Sequence, residues 1–124
     1  MKKKILIVDD EEDQIQSIKI AMESLYKEFE VHGVTDGFKC LEYLKKEKPD
    51  LILLDLMMPG MNGWQVHDAL LRSSKLQTIP VIFLTGVSDP VMKATGQLVA
   101  EDYIEKPVEV AELKKRIDKY LHNK

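Results

Sequence analysis

Several features that would assign the chain to a special class of protein are missing. Cys40 is the only cysteine among 124 residues, which excludes a framework of internal disulfides. No apolar run approaches the roughly 20 residues of a membrane-spanning helix. The net charge is −3, without the basic excess typical of nucleic-acid binding. Met1–Lys4 is followed by an apolar run, Ile5–Val8, that is too short for a signal peptide. These absences favour a cytoplasmic protein that contacts neither membrane nor nucleic acid directly.

The length and composition are those of an ordinary globular domain. The chain has 124 residues, of which 44% are hydrophobic and 31% are charged. This length is enough for one domain with a real core and too short for two. We therefore expect a single domain over residues 1–124.

Strand and helix patterns alternate along the chain. Ile15, Ile18 and Met22 recur at helical spacing, which is typical of one buried helix face. Five alternations with right-handed crossovers predict an α/β fold, a doubly wound five-stranded parallel sheet with five helices on its two faces. A βα-barrel needs more units than this. The predicted strands are Lys4–Val8, Phe29–Val34, Leu51–Leu54, Ile79–Leu84 and Ala100–Ile104.

Polar groups follow four of the five predicted strands. In the flavodoxin-like strand order 2-1-3-4-5, these four strands are neighbours, and their carboxyl ends surround one cleft. One acid at a strand end is usually a turn or capping residue, and capping remains an alternative for the first pair of acids. The whole set is harder to explain in that way: Asp9 and Asp10 after the first strand, Asp55 after the third, Thr85 after the fourth and Lys106 after the fifth.

These groups suit metal-assisted phosphoryl transfer. Three carboxylates in one cleft repel one another, and a divalent cation removes the conflict. Oxygen ligands without a cysteine or histidine cluster favour Mg²⁺. Asp55, on the central strand, is the candidate nucleophile that would form an aspartyl phosphate. Lys106 and Thr85 would stabilise charge on the transferred group.

The complete pattern resembles the receiver domain of two-component response regulators, a CheY-like fold, over Lys3 to Leu121. Each motif is weak alone, but together and in order they are highly specific. They are Val8-Asp9-Asp10-Glu11, Asp55 with Met58-Pro59 and Asn62-Gly63, Thr85-Gly86, and Asp102-Tyr103-Ile104-Glu105-Lys106-Pro107.

The resemblance implies a phosphorelay role and a set of site residues. Asp55 would accept phosphate from a sensor histidine kinase, a histidine phosphotransfer protein or a small phosphodonor. The domain would be a signalling phosphoacceptor rather than an enzyme, catalysing only its own phosphorylation and dephosphorylation. Asp10, Asp55 and the Met57 backbone carbonyl would ligate Mg²⁺, for which Mn²⁺ substitutes, with Asp9 more remote.

The resemblance also implies a conformational switch and an access route. Thr85 and Tyr103 match the family's switch pair, in which the hydroxyl moves to the phosphoryl group and the ring turns inward. Met57, Gly86 and Val87 would border access to the phosphoryl group. Two of them, Met57 and Val87, are apolar and do not orient an attacking water, which predicts slow hydrolysis.

Two further expectations concern the last third of the chain. We expect the Lys106–Pro107 peptide to be cis, since X–Pro bonds have a small trans preference and the resemblance agrees. The spacing from Thr85 to Lys106 looks one residue shorter than is usual in the family. The fourth helix, starting at Asp89-Pro90 and interrupted by Thr95-Gly96, is therefore left open.

Three other functions remain possible. A flavodoxin needs a phosphate loop after the first strand, where this chain has Asp9-Asp10-Glu11. A Mg²⁺-dependent aspartyl-nucleophile phosphatase is expected to have an Asp-x-Asp motif on that strand and a cap domain. This sequence shows neither. A non-phosphorylated pseudo-receiver acting as an interaction module would be expected to lose some of the site residues, and this chain has them all.

Overall fold

Strands and helices alternate throughout the computed structural model. It describes residues 1–121, so the last three residues of the expected domain 1–124 lie outside the described residues. No helix within this range is long and apolar enough to cross a membrane. The elements are β1 Lys3–Val8, α1 Glu12–Leu25, β2 Phe29–Val34, α2 Gly37–Lys46, β3 Leu51–Leu54, α3 Gly63–Leu71, β4 Val81–Thr85, α4 Pro90–Val99, β5 Asp102–Glu105 and α5 Val110–Leu121.

All five strands pair in parallel, in the order β2-β1-β3-β4-β5. The predicted doubly wound, flavodoxin-like α/β fold is confirmed. The register aligns the carboxyl ends of the strands, because Val8 lies opposite Leu54 and Leu54 lies opposite Phe83. The residues that follow β1, β3 and β4 therefore emerge at one edge of the sheet.

The sheet separates two apolar layers. Side chains alternate between its faces: Ile5 and Ile7 of β1 contact one layer, whereas Leu6 and Val8 contact the other. The first layer is completed by α1 and α5, and the second includes residues of α2, α3 and β5. Because both faces are covered, the strands are nearly continuous apolar runs rather than alternating ones.

Strands β4 and β5 each begin two residues later than the sequence predicted. Pro80 has no N–H to donate. It lies just before β4, and its carbonyl accepts a hydrogen bond from Ile52 N at 3.0 Å. Ala100 ends α4 instead of opening β5, since its N–H donates to the Gly96 carbonyl at 2.9 Å. The Glu101 carboxylate then accepts from Val81 N at 2.8 Å, which fixes the start of β4.

The fourth helix, left open by the sequence, forms over Pro90–Val99. Asp89 Oδ1 caps it by accepting from Val91 N at 2.8 Å and Met92 N at 3.2 Å. Pro90 at the first turn costs nothing there, because its missing N–H would have no helical partner. The helix runs through Gly96, which is its buried residue.

Candidate functional site

The aligned strand ends bring the predicted site residues together. Asp9 directly follows β1, Asp55 follows β3, Thr85 ends β4 and Lys106 follows β5. Three of them line an open cleft of about 400 Å³, and the fourth, Asp9, contacts Lys106. The lining residues of the cleft are Asp10, Glu11, Asp55, Met57, Thr85, Gly86, Val87 and Lys106.

Three carboxylates form a compact cluster at this cleft. Each of Asp9, Asp10 and Asp55 offers an oxygen, and these oxygens lie within 4.8 Å of one another. Asp9 and Asp55 are buried, with 2% and 6% exposure, whereas Asp10 is exposed. Two buried carboxylates in one place require compensation by cations or hydrogen bonds.

Backbone N–H groups supply part of that compensation. Asp9 Oδ1 accepts from Glu11 N at 2.9 Å, and Asp55 Oδ1 accepts from Met57 N at 3.3 Å. Each bond ties one carboxylate oxygen to the loop after its own strand. The second oxygen of each carboxylate is turned toward Lys106.

Lys106 is the cation of the cluster. Its Nζ lies 2.5 Å from Asp9 Oδ2 and 3.4 Å from Asp55 Oδ2. Its peptide bond to Pro107 is cis, and its backbone N–H donates to the Thr85 carbonyl at 2.8 Å. Burial lowers the pKa of Lys106, but the hydrogen bond to Asp9 and the nearby carboxylate charges outweigh it, so the net pKa is raised. The side chain therefore stays charged.

The donor set fits a hard divalent cation. The cluster has three carboxylates and one ammonium group, which contacts two of them, so it retains excess negative charge. Its ligands are oxygens at the mouth of an open cleft, which leaves space for water, and this combination suits Mg²⁺ or Mn²⁺. Met57 lies at the rim of the cleft with an exposed side chain.

The loop after Asp55 passes unusually close to α3. A Cβ on Gly63 would lie 2.3 Å from the Asp55 carbonyl oxygen and 2.8 Å from Leu56 Cα, so only glycine fits. Gly63 N also donates to the Leu56 carbonyl at 2.9 Å. A capping box between Asn62 and Gln65 starts α3 at this point. Together these contacts hold the loop that follows Asp55 in a fixed position against the start of α3.

Thr85 and Tyr103 hold the loop after β4 through one residue. The buried Thr85 hydroxyl accepts from Val87 N at 3.3 Å, and Tyr103 donates its hydroxyl to the Val87 carbonyl at 2.7 Å. The Tyr103 ring points inward, with 3% exposure. Burial and the charges of Glu105, Asp89 and Asp55 raise the pKa of Tyr103, so its phenol remains a donor.

A family model described as the response regulator receiver domain matches residues 5–118. The chain belongs to this family. Receiver domains of two-component systems are signalling modules that typically bind Mg²⁺ and partner with histidine kinases.

Relatives of this receiver domain differ in size. A probable cyclic di-GMP phosphodiesterase of Vibrio cholerae is 39% identical over 97% of this chain and 27% of that protein. The alkaline phosphatase synthesis transcriptional regulatory protein PhoP of Bacillus subtilis is 37% identical over 98% of this chain and 49% of that protein. The chain thus spans about half or less of these curated relatives.

A solved structure of similar length shares the fold. The chemotaxis response regulator CheY4 of Vibrio cholerae is 28% identical, with a TM-score of 0.87, and the match covers 98% of this chain and 100% of that one. Receiver domains of this family therefore occur both in solved chains of this length and in longer curated proteins.

Sequence reasoning missed two features of this receiver domain. Glu11, quoted only as part of a motif, lines the cleft. Behind the site lies an aromatic stack, which consists of Trp64, His67, Phe83 and Tyr103. The sequence signal for the second feature was Gly96, since a glycine inside a helix is destabilising and here stands against the stack.

Proposed function

We propose that this receiver domain accepts a phosphoryl group on Asp55 from the phosphohistidine of a sensor kinase or a histidine phosphotransfer protein. The supporting observation is the cluster itself. Asp55 is a buried carboxylate at the end of a central strand, next to two further acids and 3.4 Å from Lys106. Charges so arranged serve phosphoryl transfer better than they serve stability.

The transfer is a single displacement at phosphorus. A carboxylate oxygen of Asp55 forms the new O–P bond while the P–N bond of phosphohistidine breaks, and the electron pair goes to the imidazole nitrogen. Lys106, already within reach of Asp55, stabilises the negative charge on the phosphoryl oxygens. Gly86 lines the cleft and has no atom within 4 Å of an added Cβ, so the entry side is open.

Mg²⁺ is the proposed cofactor, and Mn²⁺ would substitute for it. Asp10, Asp55 and the Met57 carbonyl would hold the ion, with Asp9 in the outer shell. A bound ion would neutralise carboxylate and phosphoryl charge that Lys106 alone cannot balance. Asp10 is the exposed acid of the three, so it is the one most open to an entering ion.

Phosphorylation would be read through Thr85 and Tyr103. The Thr85 hydroxyl now accepts from Val87 N and would turn to a phosphoryl oxygen. The Tyr103 hydroxyl donates a hydrogen bond to the Val87 carbonyl. A movement of Thr85 would therefore reach the loop before α4 and the surface around it.

The cellular setting follows from the same proposal. A single receiver domain over residues 1–124 would act in the cytoplasm, where phosphohistidine donors are found, and would pass its signal to a protein partner. It would not itself contact nucleic acid or membrane. The names of the longer relatives, a phosphodiesterase and a transcriptional regulator, describe those proteins.

Intact mass spectrometry tests the assignment. The protein is incubated with Mg²⁺ and acetyl phosphate or phosphoramidate, alongside Asp55→Asn and the control Asp13→Asn, an exposed acid on α1. The parent and the control should gain one phosphoryl group, and Asp55→Asn should gain none while keeping its fold.

Each other outcome identifies a different function. Labelling of Asp55→Asn in the same yield would place the acceptor elsewhere. No adduct on the parent would favour an interaction module, and rapid turnover of many phosphate esters would favour an aspartyl-nucleophile phosphatase.

A further inference from the structure

At Gly96 the backbone of α4 packs directly against the ring of Tyr103, with no space for a side chain between them. A Cβ built on Gly96 would lie 2.5 Å from Tyr103 Cδ2 and 3.1 Å from Tyr103 Cε2. It would also lie 3.2 Å from Phe83 Cδ2. Real Cβ atoms do not approach other atoms as closely as the first of these distances, so any larger residue requires the Tyr103 ring or α4 to move.

The Tyr103 ring has no room to retreat deeper into the core. It meets Phe83 edge to face, with ring centroids 6.3 Å apart. Phe83 is fully buried and contacts two further rings, Trp64 and His67, with ring centroids 5.1 Å and 5.5 Å away. Because interiors are close-packed, the ring would have to swing outward rather than sink inward.

The inward position of Tyr103 matters for the loop beside the cleft. Its hydroxyl donates to the Val87 carbonyl at 2.7 Å, while Thr85 accepts from Val87 N. An outward swing of the ring breaks the first of these bonds. The loop that borders access to Asp55 would then lose one of its two anchors.

Glycine is otherwise a poor choice at this point. It is destabilising inside a helix because it gains more backbone freedom on unfolding than other residues. The neighbouring Thr95 and Gln97 are exposed, whereas Gly96 is the buried residue of α4 and lies against the ring. The unfavourable residue stands where a side chain does not fit.

We infer that Gly96 is a positioning residue, which keeps Tyr103 inward and bonded to Val87 even before Asp55 is phosphorylated. This inference rests on the proposed function. The loop beside the cleft is then already in its bound arrangement when a phosphoryl group, or a mimic such as beryllofluoride, arrives. The affinity of the protein for the mimic is higher than it would be if some molecules held the ring outward.

The first test reads the ring directly. The protein is labelled with 3-fluorotyrosine, and the Tyr103 fluorine resonance is assigned by its loss in Tyr103→Phe. In the parent without phosphodonor, this resonance should be buried and shielded from a soluble paramagnetic probe. A solvent-exposed or averaged resonance in the parent would overturn the inference without any further variant.

The second test changes the space beneath α4. In Gly96→Ala, the Tyr103 resonance should become accessible to the paramagnetic probe. Binding of beryllofluoride is followed by Trp64 fluorescence with Mg²⁺ present. The concentration for half-saturation should rise about threefold to tenfold. The control Gln97→Ala, at an exposed position of the same helix, should match the parent. An unchanged ring and an unchanged affinity in Gly96→Ala would refute the inference.

A third comparison separates positioning from simple packing. In a Tyr103→Ala background, adding Gly96→Ala should leave beryllofluoride affinity unchanged, because the ring through which Gly96 acts is gone. A loss as large as in the parent background would show that Gly96 only seats α4. Adduct formation by the parent with acetyl phosphate is measured separately, so failure of the proposed function is distinguishable from failure of this inference.

Discussion

The carboxyl edge of the sheet and the aromatic stack beneath α4 are neighbours built on opposite principles. At the edge, three acids and Lys106 are gathered at short range, and like charges remain close together. In the stack, ring contacts centred on the buried Phe83 exclude water and carry little charge. The edge concentrates chemistry at a cost in stability, whereas the stack contributes stability and a defined shape.

One residue, Val87, bonds to both regions. Val87 is held by Thr85 from the edge and by Tyr103 from the stack. A change at either region is thus transmitted through backbone atoms of one loop. The charged edge and the aromatic stack therefore both act on the loop that leads into α4, each through its own hydrogen bond to Val87.

The largest expected effect is on the stack. Phe83→Ala removes a fully buried ring that three other rings contact, and we expect it to lower the free energy of unfolding by about 3–5 kcal/mol. Urea denaturation measures this. Phe38→Ala, at a position 62% exposed, is the matched control and should change stability by less than about 0.5 kcal/mol. Similar losses in both variants would mean that the stack is not a stabilising centre.

A change at the edge should have the opposite sign. Asp10→Asn removes one of three clustered acids, so the protein without metal should unfold at a higher urea concentration. Mg²⁺ affinity should fall at least about tenfold, which is about 1.4 kcal/mol. Titration followed by Trp64 fluorescence checks the second effect. Glu12→Gln, an exposed acid in the first turn of α1, should leave both properties nearly unchanged, and parallel behaviour of the two variants would contradict the metal assignment.

The rim of the edge should control the lifetime of the aspartyl phosphate. Met57 and Val87 border the cleft and offer no side-chain hydrogen bond to an attacking water. The double variant Met57→Asn with Val87→Glu should lose phosphate several-fold faster, a barrier change of about 1 kcal/mol. Loss of the adduct is followed by intact mass at saturating Mg²⁺. An unchanged or slower rate would show that these positions do not govern hydrolysis and that they merely pack against loops.

The smallest expected effect is a pH dependence within the stack. Burial lowers the pKa of His67, although Glu101 and Asp68 oppose the shift. The unfolded chain then binds more protons than the folded one, so stability is retained above about pH 6.5 and falls as the pH drops through the lowered pKa. Urea midpoints between about pH 7 and 5 should show this slope.

Two histidine variants identify the source of that slope. His67→Leu should flatten it, because the buried imidazole is removed. His32→Gln changes an exposed histidine on β2 and should leave the slope as it is. A slope that persists in His67→Leu would assign the acid sensitivity to other groups.

Much of the site was predictable because its signals are local. A strand ends where its apolar run ends, so the positions of Asp9, Asp55 and Lys106 at strand ends follow from short stretches of sequence. Parallel topology then gathers strand ends at one edge. The late starts of β4 and β5 were not predictable in the same way. They depend on the Glu101 carboxylate reaching Val81 N, twenty residues away in the chain.

The sequence by itself determined the sheet, the order of its polar strand ends and the kind of chemistry that they suit, because apolar periodicity and residue type are written in consecutive positions. Only the tertiary structure decided that Lys106 pairs most closely with Asp9, at 2.5 Å, and that Gly96 lies on the ring of Tyr103. In the sequence, Gly96 indicated a weak helix. In the fold, it is the residue that leaves room for the Tyr103 ring. The physical reason is that such contacts depend on distances of a few tenths of an ångström between elements, and these are set by the packing of the whole core.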